Sequence, residues 1–257
     1  MKRTANGDGG KQVESVRRAF QIIDALDDNG PMQLPGLAER LDMAESTVHV
    51  HLRTLQTAGY VVHNESGYDL SLRFLEKGIA TRQHRAVYAT AQDELDDLAE
   101  ETGEVANLGV EESGQRVILD QSEGSDAVYD NAPIGEHTHM HWTALGKAIL
   151  AELPVDEVEE IVESRGLPTA TENTLSTREE LFAALEEARE RGYAIENEER
   201  RVGIRSVAVP IMMDSTVIGA ISLSGPKERF SDQRIEDELV PALQSTSNIV
   251  EIRYNYE

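Results

Sequence analysis

Between Leu34 and Leu70 the chain reads LPGLAERLDMAESTVHVHLRTLQTAGYVVHNESGYDL, and the period of its apolar residues changes along the way. Val48, Leu52 and Leu55 recur at i, i+4 and i+7, so they share one side of a helix running from about Ala44 to Ala58 and closed by Gly59. The opposite side is centred on Ser46, Val50, Arg53 and Thr57, with Thr47 and Thr54 on one flank and His49 on the other. After Gly59 the pattern is that of strands: Tyr60, Val61, Val62 and Tyr68, Leu70 bracket a turn from Asn64 to Gly67. Before the helix, Pro35 suits the first turn of a shorter one in which Leu37, Ala38 and Leu41 face inward, and DMA makes the tight turn between them. Further upstream, Val13, Val16, Phe20 and Ile23, with Ala19 and Leu26 beside them, predict a first amphipathic helix whose buried stripe they form, ended by DDNGP at Asp27–Pro31. Three helices and a hairpin are the layout of a winged helix-turn-helix, whose third helix enters the DNA major groove while the hairpin tip reaches the flanking backbone or minor groove. A three-helix domain used for protein contacts is the other reading of this pattern.

Charge sharpens the choice. The chain carries a formal net charge of -24, yet residues 1–80 hold 9 Lys+Arg against 11 Asp+Glu, and residues 81–257 hold 15 against 37. A merely solvated helix in so acidic a chain should carry several carboxylates, whereas the outward side of the third helix has only Glu45, at its start. Lysine supplies 5 of the 24 basic residues. An acidic surface poor in lysine points to a chain adapted to multimolar salt, where carboxylates keep the protein in solution and their repulsion is screened. In such salt the counterion-release contribution to DNA affinity is already small, so a reader with few cations relies on groove fit and base contacts. With no cysteine, disulfides, thiolate catalysis and cysteine zinc sites are excluded. No apolar run approaches the roughly 20 residues that span a bilayer. Residues 1–11 have charge but no apolar stretch and read as a disordered tail rather than a secretion signal, which makes the cytoplasm the expected location.

Residues 12–73 are therefore assigned to the winged helix-turn-helix, 74–85 to a linker helix and 86–257 to a second domain. In LEKGIATRQHRAVYATAQDELDDLAEETG, Leu75, Ile79, Val87, Leu95 and Leu98 mark a short helix followed by a longer one, and Gly103 ends the latter; these helices are candidates for pairing across a dimer. Beyond Gly103, VANLGV, RVILDQ, AVYD, YAIE, SVAVPIM and VIGAISLS read as strands. TALGKAILAEL, PVDEVEEIVESRG and STREELFAALEEARERG read as helices, the last with a capping box from Ser176 to Glu179 and a stop at Gly192. A final helix from Ser231 contains Pro241. The expected class is α+β, with a GAF-like α/β effector-binding domain after the linker helix.

Four stretches resemble the isocitrate lyase regulator (IclR) family of transcription regulators. LAERLDMAESTVHVHLRTLQTAGYV is similar to its DNA-binding segment, through Leu37, Ala38, Glu39, Ser46, Thr47, Val48, His49, Leu52, Thr54, Leu55, Gly59, Tyr60 and Val61. HWTALGKAILAELP, RGYAIENEERRVGIRSVAVPI and GAISLSGP are similar to motifs of its effector domain, in the same order. The chain departs from the family at Val50 and Glu45, where positive side chains are common, at Ser206, where cysteine is frequent, and at Glu196, where aspartate is frequent. The resemblance implies a double-stranded DNA operator contacted by Ser46, Thr47, His49, Val50, Arg53 and Thr54, and by His63 and Asn64 at the hairpin. Arg53 offers a phosphate or guanine contact and Val50 a surface for a thymine methyl. It also implies a small-molecule effector held by Ala144, Leu145, Gly146, Glu196, Ile204, Ser206, Ser222 and Ser224, and a homodimer or homotetramer.

The chemistry of that second set suits an anion. Amides at a helix start bind negative charge, and Ser222 and Ser224, two apart on a strand, project to one side. Arg200, Arg201 and Arg205 add cations that, turned inward, would hold a carboxylate bidentately, so the expected effector is a small organic acid, such as a sugar-acid derivative. For any single one of these arginines, an ion pair with a surface carboxylate is the favoured explanation. His137, His139 and His141 alternate and would share one side of a strand, a zinc or nickel pattern, but three histidines of one strand rarely complete a site. A hydrogen-bonded or exposed strand is the preferred reading, and neither a metal nor a cofactor is expected. No nucleophile–base pair or phosphate-binding loop marks an enzyme. A sensor acting through protein contacts, or an enzyme fused to a DNA-binding head, are the rival readings.

Overall fold

The computed structural model describes residues 13–128 and 132–256, so the expected tail at 1–11 lies outside the described residues. The chain forms two compact units, Met1–His84 and Arg85–Glu257.

The first unit contains α1 (Glu14–Asn29), α2 (Leu34–Arg40), α3 (Glu45–Thr57), β1 (Val61–Asn64), β2 (Gly67–Leu70) and α4 (Arg73–Gln83), the last corresponding to the expected linker helix. Its core joins Ile22 and Leu26 of α1, Leu37 of α2, Val48 and Leu52 of α3 and Val61 of β1, with Leu55 half-buried beside them. The stripe expected to bury α1 is right only towards its end: Leu26 is buried and Ala19 and Ile23 are half-buried, but its first part is not covered. Val13, Val16 and Phe20 are exposed, and Ile22, Ala25 and Leu26 go inside. At about 100° per residue the two sets lie on nearly opposite sides, so α1 carries two apolar faces and tertiary packing uses the second. The hairpin pairs Val61 with Leu70 through Asn64 with Gly67. Asn64 Oδ1 accepts from the Ser66 amide at 2.9 Å, which sets the turn. Met32 adds a bridge to Tyr68, with backbone bonds of 2.9 and 2.8 Å. Gly67 has φ +124°, and a Cβ there would overlap the Met32 carbonyl, so only glycine lets the hairpin lie against residue 32.

The second unit opens with α5 (Ala86–Thr102), β3 (Val105–Glu112), β4 (Gln115–Glu123) and β5 (His137–His139), followed by a 3₁₀ turn over Met140–Trp142. Then come α6 (Ala144–Glu152), α7 (Val155–Arg165), α8 (Arg178–Arg191), β6 (Ala194–Asn197), β7 (Ile204–Met213) and β8 (Thr216–Pro226). The chain ends on α9 (Asp232–Arg234), a π turn over Ile235–Leu239 and α10 (Val240–Tyr256). The strands form one six-stranded antiparallel sheet in the order β5-β4-β3-β8-β7-β6. Alternation sends Leu108, Val207, Val209, Ile221 and Leu223 to one face, under α5 and α10. Ala208 and Ala220 face the other way, under α6, α7 and α8, which contribute Leu145, Ile149, Val158 and Leu185. This is the expected α+β arrangement of helices on an antiparallel sheet.

Three local expectations need correction. Ala127 and Val128 of AVYD form no strand, and Tyr129 and Asp130 lie outside the described residues. The capping box of α8 is Thr177 with Glu180, one residue later than expected, because Thr177 is the residue with extended backbone at the helix start. Pro241 is accommodated by the preceding π turn: proline has no N–H to donate and its ring crowds the carbonyl four residues back, and widening the helix relieves both. Among the described residues no helix is long and apolar enough to cross a membrane.

Candidate functional site

Burial of Val48 and Leu52 orients α3. Ser46, His49, Arg53 and Thr54 are exposed, Val50 is 62% exposed, and Thr47 is half-buried on the flank. The Thr54 hydroxyl donates to the Val50 carbonyl at 2.9 Å and the Thr57 hydroxyl to that of Arg53, also at 2.9 Å; each keeps its oxygen lone pairs as acceptors. Arg53 has no carboxylate partner among the described residues, in a chain where most arginines are ion-paired. His63 and Asn64 are exposed at the hairpin end, where the His63 ring packs on Tyr68 with centroids 4.4 Å apart. The hairpin is held from behind: Arg73 Nη1 donates to the Ala58 carbonyl at 2.8 Å and its guanidinium covers the Tyr60 ring. The six α3 residues thus share a surface that is small and polar, with one arginine.

In the second unit the predicted effector residues converge on the sheet face beneath α6. Register sets Glu196 beside Ser206, Ser206 beside Ser224, and Ser222 between Ala208 and Asn107. Ala144, Leu145, Gly146, Glu196, Ser206, Ser222 and Ser224 are buried and Ile204 is half-buried. Four of the eight, Gly146, Glu196, Ser206 and Ser224, already bond within their own chain. The Gly146 amide donates to Thr143 Oγ1 at 3.0 Å, which leaves Ala144 and Leu145 as the amides of the helix start without an intrahelical acceptor. Glu196 Oε1 accepts from the Glu199 amide at 2.8 Å and the Arg200 amide at 3.2 Å, and Oε2 from the Ser206 hydroxyl at 3.0 Å, so this side chain shapes the turn after β6. Next to it, Lys147 of α6 donates to Glu199 at 2.6 Å in a buried pair. Sequence reasoning missed the polar chain Gln121–Asn107–Ser224, with Gln121 Nε2 to Asn107 Oδ1 at 2.8 Å and Asn107 Nδ2 to Ser224 Oγ at 3.3 Å. It also missed Arg116, whose side chain is buried on β4 and donates to Glu136 at 2.8 Å. Alternation along RVILDQ could have assigned its side; its partner is 20 residues away.

Of the three arginines expected to supply charge, Arg205 lies on the opposite face of β7 from Ser206, donating to the Phe230 carbonyl at 2.6 Å and pairing with Asp232. Arg201 is exposed, and Arg200 lies 3.8 Å from Glu136. A cleft of about 420 Å³ opens elsewhere, at the outer edge of β6, and none of the eight predicted residues lines it. Of its charged side chains Arg191 pairs with Glu187, Lys147 with Glu199 and Arg205 with Asp232, and Glu236 adds a further carboxylate. The three histidines do not share one side of a strand: β5 stops at His139 and His141 sits in the 3₁₀ turn. His141 Nε2 donates to the Pro168 carbonyl at 3.1 Å, and its burial lowers its pKa.

Burial also raises the Glu196 carboxyl, to about 7. A group raised in the folded state contributes its stability below its unfolded value near 4.5, and loses it as pH climbs through about 7. Between pH 5 and 8 the wild type is expected to lose on the order of 3 kcal/mol more stability than Glu196→Gln, whose amide oxygen keeps the two backbone bonds while its NH2 donates to the Ser206 hydroxyl instead of accepting from it. Urea midpoints of both proteins across that range measure the difference; parallel curves would mean Glu196 does not titrate there.

Comparison with known proteins bears on both surfaces. Residues 15–65 match the IclR helix-turn-helix domain, and residues 79–251 match the C-terminal domain described as bacterial transcriptional regulator IclR C-terminal. The chain is 34% identical to the HTH-type transcriptional regulator XynR of Escherichia coli K12 over 227 residues, 87% of this chain and 90% of that protein. It is 30% identical to the probable HTH-type transcriptional regulator ArcR of Halobacterium salinarum, over 97% of each chain. The crystal structure of the Thermotoga maritima IclR superposes with a TM-score of 0.79 at 28% identity, covering 93% of this chain and 98% of that one. The relatives are named regulators rather than enzymes, and with both domain families matched over most of its length, this chain belongs to the IclR family of DNA-binding transcription regulators with a C-terminal effector-binding domain.

Proposed function

We propose that the chain reads its operator with the outward face of α3, through Ser46, Thr47, His49, Val50, Arg53 and Thr54 in the major groove and His63 and Asn64 beside it, and that a small organic acid held beneath α6 controls operator affinity. The observation that carries the first part is the exposed Arg53 on a face otherwise of small side chains, in a chain of net charge -24. What supports the second part is the placement of Ile204, Ser206, Ser222 and Ser224 on the sheet face beneath α6, where the Ala144 and Leu145 amides and the Ser222 and Ser224 hydroxyls suit an anion that also carries hydroxyl groups. Gly146 and Glu196 support the pocket from behind by holding its helix start and its turn.

A second copy is part of the reading. Val13, Val16 and Phe20 on α1, and Leu72, Leu75 and Ile79 at α4, stay exposed, Leu72 at 83%. Covering them in a homodimer, or a homotetramer of such pairs, removes apolar surface from water and sets two recognition helices at half-site spacing. The assigned divisions at residues 12–73, 74–85 and 86–257 belong to the same proposal, as do the cytoplasmic location and adaptation to high salt. The acidic composition supports the last of these, and Halobacterium salinarum supplies one relative of similar length.

The test is a gel shift with the DNA upstream of the chain's own gene in molar KCl, alone and with D-gluconate or pyruvate. A shifted band, changed about 5- to 150-fold in affinity by one of the acids, is the expected result. Binding that no acid alters would remove the organic-acid effector, and no binding would remove the assignment of the α3 face.

A further inference from the structure

Three consecutive carbonyls lead out of the recognition helix, and two residues at the start of α4 take all of them. Arg73 Nη1 donates to the Ala58 carbonyl at 2.8 Å, the Ser71 hydroxyl to that of Gly59 at 2.6 Å, and the Ser71 amide to that of Tyr60 at 3.0 Å. Carbonyls at a helix end have no intrahelical partner and carry partial negative charge, so a guanidinium suits them. Gly59 has φ +80°, and a Cβ there would stand 2.8 Å from Arg73 Nη1, so the contact needs the bare backbone of glycine. The guanidinium covers the Tyr60 ring at 5.2 Å, and Phe74 meets the same ring edge-on with centroids 5.2 Å apart. The Arg73 amide bonds back to Ser71 Oγ at 3.2 Å. Arg73 is exposed in a chain of net charge -24, yet its partner is a neutral carbonyl; Glu76, one turn on, bonds to Lys77 instead.

We infer that Ser71 and Arg73 are positioning residues that fasten α4 to the end of α3, so that the direction of α4 sets where each recognition helix points and which half-site spacing the protein accepts. This rests on the operator reading above, with α3 as the reader and two heads in a dimer, and adds what holds the reader in register. Neither residue has to touch DNA for this. The chain leaves the first unit directly after α4, which ends at Gln83, one residue before the boundary at His84. At about 100° per residue, Leu75 and Ile79 lie on the side of α4 away from Arg73 and Phe74, and both are exposed. One side of α4 is thus bonded to the reader, and the other is the apolar side assigned above to a second copy. The fastening between them passes the pairing of two α4 helices on to two α3 helices. Without it each head turns about residues 71–72, and binding has to bear the entropy of fixing it.

The experiment is a gel shift of the full chain in molar KCl on the footprinted operator upstream of its own gene. A second DNA carries two base pairs inserted between the half-sites, about a fifth of a helical turn. Wild type is expected to lose about 30-fold on the lengthened operator. Arg73→Met, which keeps the stem but no donor, should bind the native operator about five- to tenfold more weakly and lose only about threefold on the lengthened one. Ser71→Ala moves in the same direction, and Arg73→Lys, which retains a charged donor for the single bond made, restores the wild-type ratio. A substitution that only destabilised the head would weaken both DNAs by one factor and leave the ratio unchanged. The proposal is overturned by a wild type indifferent to the insertion, by a footprint confined to one half-site, or by a wild-type ratio in both Arg73→Met and Ser71→Ala. Failure of lysine to restore the ratio overturns it too, as does a salt slope lowered by about 0.9 in Arg73→Met, the mark of a phosphate contact. Arg53→Ala on the native operator separates this from failure of the operator reading. If Arg53→Ala weakens binding while the ratio stays fixed, the α3 surface stands and only the fastening is lost; if it does not, the surface on which the fastening acts is lost as well.

Discussion

Arg53→Ala is expected to weaken operator binding about 5- to 150-fold, the loss of one bidentate base contact of roughly 1–3 kcal/mol. The side chain is exposed on α3 and has no ion-pair partner among the described residues, so its removal should leave the unfolding midpoint within about 0.5 kcal/mol of wild type. Affinity and stability therefore separate in this variant, which a core substitution in α3 cannot achieve. Two further measurements identify what Arg53 touches. Arg53→Lys keeps the charge but not the fork, and recovers most of the affinity only if the partner is a phosphate. A phosphate contact also contributes to the salt dependence, with a slope of about 0.9 per neutralised charge, so its loss flattens the plot of affinity against salt. A base contact leaves that slope in place and relaxes the preference at one operator position. Unchanged affinity in Arg53→Ala would remove this residue from the reading surface and leave the α3 face without a cation.

The second large effect is structural. Gly146 lies in the first turn of α6, and a Cβ at this position would overlap backbone atoms of Met140, including its carbonyl oxygen. Backbone cannot step aside as a flexible side chain can. Gly146→Ala must push the start of α6 off the 3₁₀ turn at Met140–Trp142, and in doing so it strains the Thr143 cap. A loss on the order of 3–5 kcal/mol is expected, a large share of the stability of a domain this size. Gly78→Ala in α4 is the matched control: it too is a helical glycine, but nothing lies within 4 Å of its added Cβ. There, alanine should be neutral or stabilising by about 0.5–1 kcal/mol through its better helix propensity. Chemical denaturation of the full chain measures both. An unaltered midpoint for Gly146→Ala would mean that α6 approaches Met140 less closely than the structure has it.

Both effects bear on how regulation reaches DNA. Gly146, Thr143, Lys147 and Glu199 tie the start of α6 to the turn after β6, and Glu196 holds the same turn from below. In the proposed reading a ligand entering here would disturb these bonds, and its preference for one arrangement of them would set operator affinity.

Where the sequence was legible, a local rule decided the matter. The bounds of α3, the hairpin at Asn64–Gly67, the stops at Gly103 and Gly192 and the strands YAIE, SVAVPIM and VIGAISLS all follow from period, turn chemistry or capping within a dozen residues. The misreadings arose where two local answers were equally good. The run STREE offers both Ser176 with Glu179 and Thr177 with Glu180, and the choice depends on which residue has the extended backbone where the chain enters α8. The alternation of His137, His139 and His141 fits a strand, until the strand runs out of partner after Gln115 pairs with His139.

Taken alone, the order of residues determined that α3 would turn Val48 and Leu52 inward and present Ser46, His49 and Arg53, because helical period leaves no other way to bury those apolar side chains. It also determined that Ser222 and Ser224, two apart on one strand, share a face, to which the pairing of β7 with β8 adds Ser206. Tertiary structure alone decided which of two apolar sides of α1 would be covered, which serine or threonine would cap α8, and that Arg116 would be buried facing Glu136. Those outcomes depend on what the rest of the chain places alongside, over distances that periodicity and propensity do not span.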